Sequence, residues 1–441
     1  MDEFSIKAIS PIDGRYQNKC VKLSNYFSEY GLIRYRLRIE IDYFIELCSI
    51  LPELKDIDLN IRDLTDIYTH FDPLEIKKIE KETNHDVKAV EYYIRNRFKL
   101  IGIKQTNFIH FGLTSQDINN TALPLALFES MSQIVLPQLN SILDYLIILS
   151  NKWIEIPLLS KTHGQPASPT ILGKEIMVFI ERLKIQIEML SDITLYAKFG
   201  GAVGNFNAHT IAYPTIDWVG FSDRFIEKYG LKRSRYTTQI DHYDSLGVLF
   251  DNIKRVNTIL LDLCRDMWMY ISDEVFKLKI VEGEVGSSTM PHKVNPINFE
   301  NSEANLMMSN TLLEFFSRKL PVSRLQRDLT DSSVCRNIGV ALGHSLVSYS
   351  SLLTGLEKIE VNTTNINSDL ENNWVVVAEG IVSILKKNNY PDPYEVLKHF
   401  TRKNKAITKE NIKDFISSLN INEKIREQLR NITPYNYTGL I

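Results

Sequence analysis

The chain has 441 residues, room for about two to four domains and for a core that needs neither disulfides nor a structural metal. Lys and Arg number 51 against 54 Asp and Glu, a net charge of −3, so there is no global electrostatic case for gripping nucleic acid or an anionic membrane. At 44% hydrophobic and 24% charged residues, wholesale disorder is excluded.

The 19 glycines and 15 prolines are about 8% of the chain, where about 12% is usual. Few turn-formers mean few turns and long elements, which leans towards helices. Cys20, Cys48, Cys264 and Cys335 are far apart and form no CxxC, so neither a disulfide framework nor a zinc site is expected. The first residues lack the basic and apolar regions of a signal peptide, and no run approaches about 18 uninterrupted apolar residues. The expectation is a cytoplasmic protein with no membrane span.

In chain order, residues 100–120 look loop-like, with Gly102, Gly112, Thr114, Ser115, Asn119 and Asn120. From Phe128, apolar residues fall at Met131, Val135, Leu139, Ile142, Leu146 and Leu149, steps of three and four that line one helical face. Pro137 lies inside this helix and should kink it. Segments 171–198, 297–319 and 334–357 read as further long helices. From Leu249 a second stripe runs through Ile253, Val256, Leu260, Leu263, Met267 and Ile271, with Phe250, Leu261, Cys264 and Trp268 beside it. Apolar flanks beyond one stripe mean burial on several sides, against other helices or against other subunits. Residues 361–373 are Asn-rich and polar, and the tail beyond carries Lys398, Arg402, Lys403 and Lys405, read as a solvated basic face.

The most informative segment is a Gly/Ser/Thr-rich loop from Gly283 into Met290-Pro291-His292-Lys293-Val294-Asn295-Pro296. Asn295 is a good helix N-cap and Pro296 suits the first helical position. Free N–H groups, the helix dipole and the Lys293 ammonium can then converge on one anion, such as a carboxylate; the alternative is a flexible surface loop. In Thr162-His163-Gly164-Gln165-Pro166 a histidine sits at a turn, placed either as a general acid or as a surface capping residue. There is no GxxxxGK[ST], GxGxxG, GxSxG or HExxH.

Residues 286–296 resemble the signature of the fumarase/aspartase superfamily, whose members eliminate fumarate from succinyl compounds. Segments 10–16, 83–92, 114–120, 161–167 and 327–333 extend the resemblance in order from the start to about residue 340, towards the branch that handles a phosphorylated purine nucleotide. It implies an all-α, three-domain fold with a long central helical bundle. The domains would be an N-terminal helical one at 1–112, a central one at 113–364 with the signature loop at 282–296, and a small C-terminal one at 365–441.

It also implies a homotetramer whose sites are shared between subunits, with small-molecule substrates and no nucleic acid, membrane or cofactor. Ser287 would be the general base and His163 the general acid, with Thr162 beside it at the substrate. Ser288, Lys293, Asn295, Thr114 and Ser115, helped by Gln239, would hold the succinyl carboxylates. Arg15, Tyr16, Arg327, Ser332 and Arg336 would take the phosphate and ribose. Asn84, His85 and Asp86 would line the base pocket, supported by Asn301. Argininosuccinate lyase, fumarase and a non-catalytic scaffold are the alternatives.

Overall fold

The computed structural model describes residues 3–57, 59–279, 290, 294–403 and 407–441. The helical expectation holds. Among the described residues the strands are eight pieces of two or three residues, and helices make up most of the rest. The chain divides into two units. One comprises Met1–Asn140, Gln186–Leu261 and Ser302–Ser350; the other comprises Ser141–Ile185, Asp262–Asn301 and Ser351–Ile441.

In the first unit a 22-residue helix, Glu29–Ile50, is central. Ser28 starts it by accepting from the Gly31 N–H, and Leu51-Pro52 ends it, since proline disfavours helical backbone before it. Gly31 is required: a Cβ there would lie 2.7–2.8 Å from the Tyr26 backbone. Tyr35, Leu37, Ile39, Tyr43, Phe44 and Leu47 are buried, and the Phe44 and Phe98 rings meet at 4.8 Å. Each such burial is worth about 1.5–3 kcal/mol.

The helix predicted from Phe128 starts earlier, at Ser115, and runs on to Lys152. Pro137 is taken up by a π-helical turn at Met131–Val135, after which α-helix resumes at Leu136. Such a turn opens the hydrogen-bond ladder where proline has no N–H to offer. The six stripe residues Met131 to Leu149 are all buried. By length and composition this helix is apolar enough to cross a membrane, but Gln116, Asp117, Asn120 and Thr121 on its first turns are buried inside protein.

The other long helices are Leu172–Ser191, Asp244–Ser272, Ile297–Lys319 and Ile338–Lys358. The first stops seven residues short of the expected end, giving way to the short strand Tyr196–Ala197. Ile297 follows Pro296, whose carbonyl accepts from the Phe299 and Glu300 N–H groups, so proline sits one position ahead of the expected one. On Asp244–Ser272 the stripe from Leu249 to Met267 and also Phe250 and Cys264 are buried, Ile271 is half-buried, and Trp268 is exposed.

In the second unit, two strand pairs nest between residues 157 and 171. Pro157–Leu158 pairs with Thr170–Ile171, and inside it Lys161–Thr162 pairs with Gln165–Pro166. The Asn-rich stretch is a helix, Thr363–Asn372, because the Asn362 side chain caps its N-terminus. Beyond it Trp374, Ile381, Leu385, Ile412, Phe415 and Leu429 form a core of their own. In the basic tail Lys398 pairs with Glu395, and Lys405 lies outside the described residues.

Candidate active site

His163 stands at the tip of the nested hairpin in the second unit. A two-residue hairpin loop of type I′ has positive φ at both positions, which matches the strand twist. His163 has φ 54° and Gly164 has φ 72°. Histidine tolerates this region better than most side chains, and a residue held there at a functional position is a known device. The strands fix the tip: Lys161 bonds Asp273 at 2.7 Å, Ser168 bonds Glu379 at 2.7 Å, and the Ala167 N–H donates to the Ser160 carbonyl. The imidazole and Thr162 are exposed, free to meet a ligand. The same unit holds Asn295, half-buried, and Asn301, which accepts from Ser351 at 2.9 Å. Ser287, Ser288 and Lys293 lie outside the described residues.

In the first unit, Thr114 and Ser115 open the long helix. Asp117 holds this opening. One carboxylate oxygen accepts from the Thr114 N–H at 2.7 Å. The other accepts from Gly200 N–H at 2.7 Å, Gly201 N–H at 3.1 Å and the Lys198 ammonium at 2.8 Å. Both partners are fully buried. Burial pushes the Lys198 ammonium below its ordinary pKa against the pull of Asp117.

The loop before Thr114 is tied down as firmly. Tyr43 donates to the Phe111 carbonyl at 2.8 Å and meets His209 Nε2 at 3.1 Å. Burial is the main cause that lowers the His209 pKa to about 4, so the ring is neutral at pH 7. His110 Nδ1 lies 2.5 Å from buried Glu40; burial opposes its charge, but the carboxylate outweighs burial and raises its pKa.

Asn84 ends the helix Pro73–Thr83 in left-handed backbone, and His85 caps the next helix, its Nδ1 accepting from the Lys88 N–H. Asp86 then lies between two arginines, 2.9 Å from Arg36 and 3.2 Å from Arg336. Burial opposes its charge, yet Arg36 and Arg336 hold the carboxyl below its ordinary range. Arg36 also donates to Asn119 at 2.8 Å, which ties the Asn84–Asp86 segment to the Ser115 helix.

A second chain of bonds reaches Arg327. It donates to Ser332 at 2.8 Å, and the Gln116 amide, with its oxygen set towards the guanidinium, accepts from Nη1 at 3.2 Å. Asp331 beside Ser332 accepts from Tyr243 at 2.9 Å; Tyr243 accepts from Asn120 at 2.7 Å; Asn120 accepts from the Asp241 N–H at 2.8 Å. The loop carrying half-buried Gln239 is thereby pinned to the Ser115 helix.

A small cavity of about 50 Å³ lies among Arg36, Gln116, Asn119, Tyr243, Ser332 and Arg336. A larger one, about 480 Å³, is bordered by Asp13, Gln17, Ser28, Glu29 and Arg336. Arg15 and Tyr16 lie between Asp13 and Gln17, so this segment and Arg336 flank one opening.

The first unit thus gathers Thr114, Ser115, Asn84, His85, Asp86, Arg327, Ser332 and Arg336, with the Arg15–Tyr16 and Gln239 segments. Arg36, Glu29, Lys198 and Tyr243 were not predicted. For Arg36 a signal existed: with Glu40 it occupies the buried stripe Ile33, Leu37, Ile41, Phe44, where a charge needs a partner.

A family model described as lyase matches residues 14–310. Two solved structures match the fold over 95% of this chain: a β-carboxy-cis,cis-muconate cycloisomerase from Acinetobacter calcoaceticus, TM-score 0.72 at 15% identity, and a 3-carboxy-cis,cis-muconate lactonizing enzyme from Pseudomonas putida, TM-score 0.75 at 18% identity. They cover 95% and 94% of those chains. Fold and family model together make this chain a lyase of the fumarase/aspartase superfamily.

A second model, described as adenylosuccinate lyase C-terminal, matches residues 323–438 and so carries the likeness into the tail. Adenylosuccinate lyase of Dictyostelium discoideum is 54% identical over 99% of this chain and 97% of its own, and that of Escherichia coli K12 is 43% identical over 100% and 98%. The chain belongs to the adenylosuccinate lyase family.

Proposed function

We propose that this enzyme eliminates fumarate from adenylosuccinate, leaving AMP, and from succinylaminoimidazole carboxamide ribotide (SAICAR), leaving AICAR. The two substrates share the ribose phosphate and the succinylamino group, so one site serves both. The full-length likeness to adenylosuccinate lyases carries this reading.

The reaction breaks a C–H and a C–N bond. Ser287 takes the proton from the succinyl Cβ, and the charge left behind spreads into the adjacent carboxylate. Lys293, Asn295, Ser288, Thr114 and Ser115 surround the carboxylates, assisted by Gln239, and supply positive potential where that charge grows. A serine hydroxyl can act as a base only if neighbouring N–H dipoles and a cation stabilise its alkoxide. Nitrogen leaves poorly unless it is protonated. His163 delivers that proton, and its exposed position on a fixed hairpin tip supports the role.

Arg15, Tyr16, Arg327, Ser332 and Arg336 take the phosphate and ribose; Asn84, His85 and Asp86 take the base, with Thr162 and Asn301 alongside. We also infer a cytoplasmic homotetramer with shared sites, and the three-domain division 1–112, 113–364 and 365–441.

Ultraviolet absorbance with adenylosuccinate, argininosuccinate and malate as separate substrates tests the reading. Turnover of adenylosuccinate alone is expected. Turnover of argininosuccinate or malate in its place overturns it.

A further inference from the structure

Arg336 is not an open cation. Its Nη1 donates to Glu29 at 2.8 Å and its Nη2 to Asp86 at 3.2 Å, so both ends of the guanidinium fork that would grip a phosphate already hold carboxylates. The two carboxylates are held differently. Asp86 is bound on three sides, by Arg336, by Arg36 at 2.9 Å and by the Val87 N–H at 2.9 Å, and only 27% of its side chain is exposed. Glu29 is 38% exposed and borders the 480 Å³ cavity beside Arg336. Its other oxygen already accepts from a second cation, Lys77 at 3.1 Å, which is itself 2.6 Å from Glu80. A Glu29 that leaves Arg336 therefore keeps a counter-charge.

We propose that Glu29 is a displaceable stand-in for the substrate phosphate: it bridges Arg336 and Lys77 when the site is empty, and releases Arg336 while keeping Lys77 when a phosphate dianion arrives. The inference rests on the assignment of Arg336 to the phosphate. Its consequence is selectivity. A ligand without a phosphate gains nothing from Arg336, because the guanidinium is already paired. A monoanion gains little, because it exchanges one single charge for another. A dianion offers a denser charge and three acceptor oxygens, and so displaces Glu29 from Nη1. Asp86 stays in place throughout and keeps the guanidinium oriented.

The test is calorimetric titration of the free enzyme with AMP and with adenosine, on wild type, Glu29→Gln, Glu29→Asp and Arg336→Gln. An ion pair at this exposure is worth up to about 1 kcal/mol, so Glu29→Gln should lower the Kd for AMP about two- to fivefold. Adenosine binding should not change. Glu29→Asp keeps the charge but shortens its reach, and should fall between. Circular dichroism and the thermal midpoint confirm that each variant is folded.

An AMP affinity that is unchanged or weaker in Glu29→Gln, while wild type still prefers AMP to adenosine and Arg336→Gln loses that preference, overturns this inference and leaves the phosphate assignment standing. If Arg336→Gln binds AMP as tightly as wild type, the assignment falls, and the stand-in with it.

Discussion

His163 combines exposure with left-handed backbone at the tip of a fixed hairpin. Its removal should leave the fold standing and strike the chemistry. His163→Ala is expected to lower kcat by about 10²–10⁴ with the thermal midpoint unchanged, since general-acid assistance is typically of that size. Near-normal turnover would assign the proton elsewhere.

His209 is the opposite case, buried, neutral and packed under Gly112. Its pKa is 6.5 when unfolded and about 4 when folded, so between those values the unfolded chain binds the extra proton. Stability is full above about pH 6.5 and falls by about 3 kcal/mol as the pH drops towards 4. His110, with its pKa raised, acts above that window, contributing stability that is complete below pH 6.5 and lost at higher pH. The thermal midpoint of wild type should therefore fall more steeply from pH 6.5 to 4.5 than that of His209→Gln; parallel curves would refute the assignment. Neither histidine announced itself in the sequence, because an isolated histidine packed into the fold leaves no periodic trace.

The turns that present the site separate two kinds of glycine. At Gly164 an added Cβ meets nothing within 4 Å, so Gly164→Ala carries only the strain of a left-handed L-residue, about 1–2 kcal/mol. Most of that strain should be relieved by shifting the His163 tip, lowering kcat severalfold with little change in thermal midpoint. At Gly112 the Cβ would lie 2.6 Å from the His209 ring, so Gly112→Ala should lower the midpoint sharply. Equal effects of the two variants on stability would contradict this contrast.

Elements of this chain were legible where one face is apolar and the other is not. The stripes from Met131 and Leu249 gave their helices directly, though their ends slipped where local chemistry decides. A π turn precedes Pro137, and the helix after Leu172 stopped at Ser191. Glu29–Ile50 escaped because it is buried nearly all round, which erases the period of 3.6. Thr363–Asn372, noted only as Asn-rich and polar, showed no apolar stripe, and its start is fixed by the Asn362 cap.

At the scale of the whole molecule, the predicted site residues fall into two groups that no one unit contains: His163 and Asn301 in one, Thr114, Asp86, Arg327 and Arg336 in the other. The long helices also leave large apolar side chains exposed, among them Phe128, Ile148, Val248, Trp268, Met308 and Phe315. These are the side chains that the proposed homotetramer would cover. The segments proposed to carry the chemistry were legible as motifs, but what covers the exposed apolar faces was not, because a single chain's pattern records which faces are apolar and not what lies against them. A shared site has a sharp consequence. If Ser287 and His163 of one site come from different subunits, then mixed oligomers of Ser287→Ala and His163→Ala contain sites in which both defects fall on the same side. At equal mixing about a quarter of sites carry neither defect, and activity should return to about that fraction of wild type from two nearly inactive parents. The readout is fumarate release after subunit exchange, with exchange itself followed by the mass of differently tagged chains. Demonstrated exchange with no recovery would place both residues of a site on one subunit.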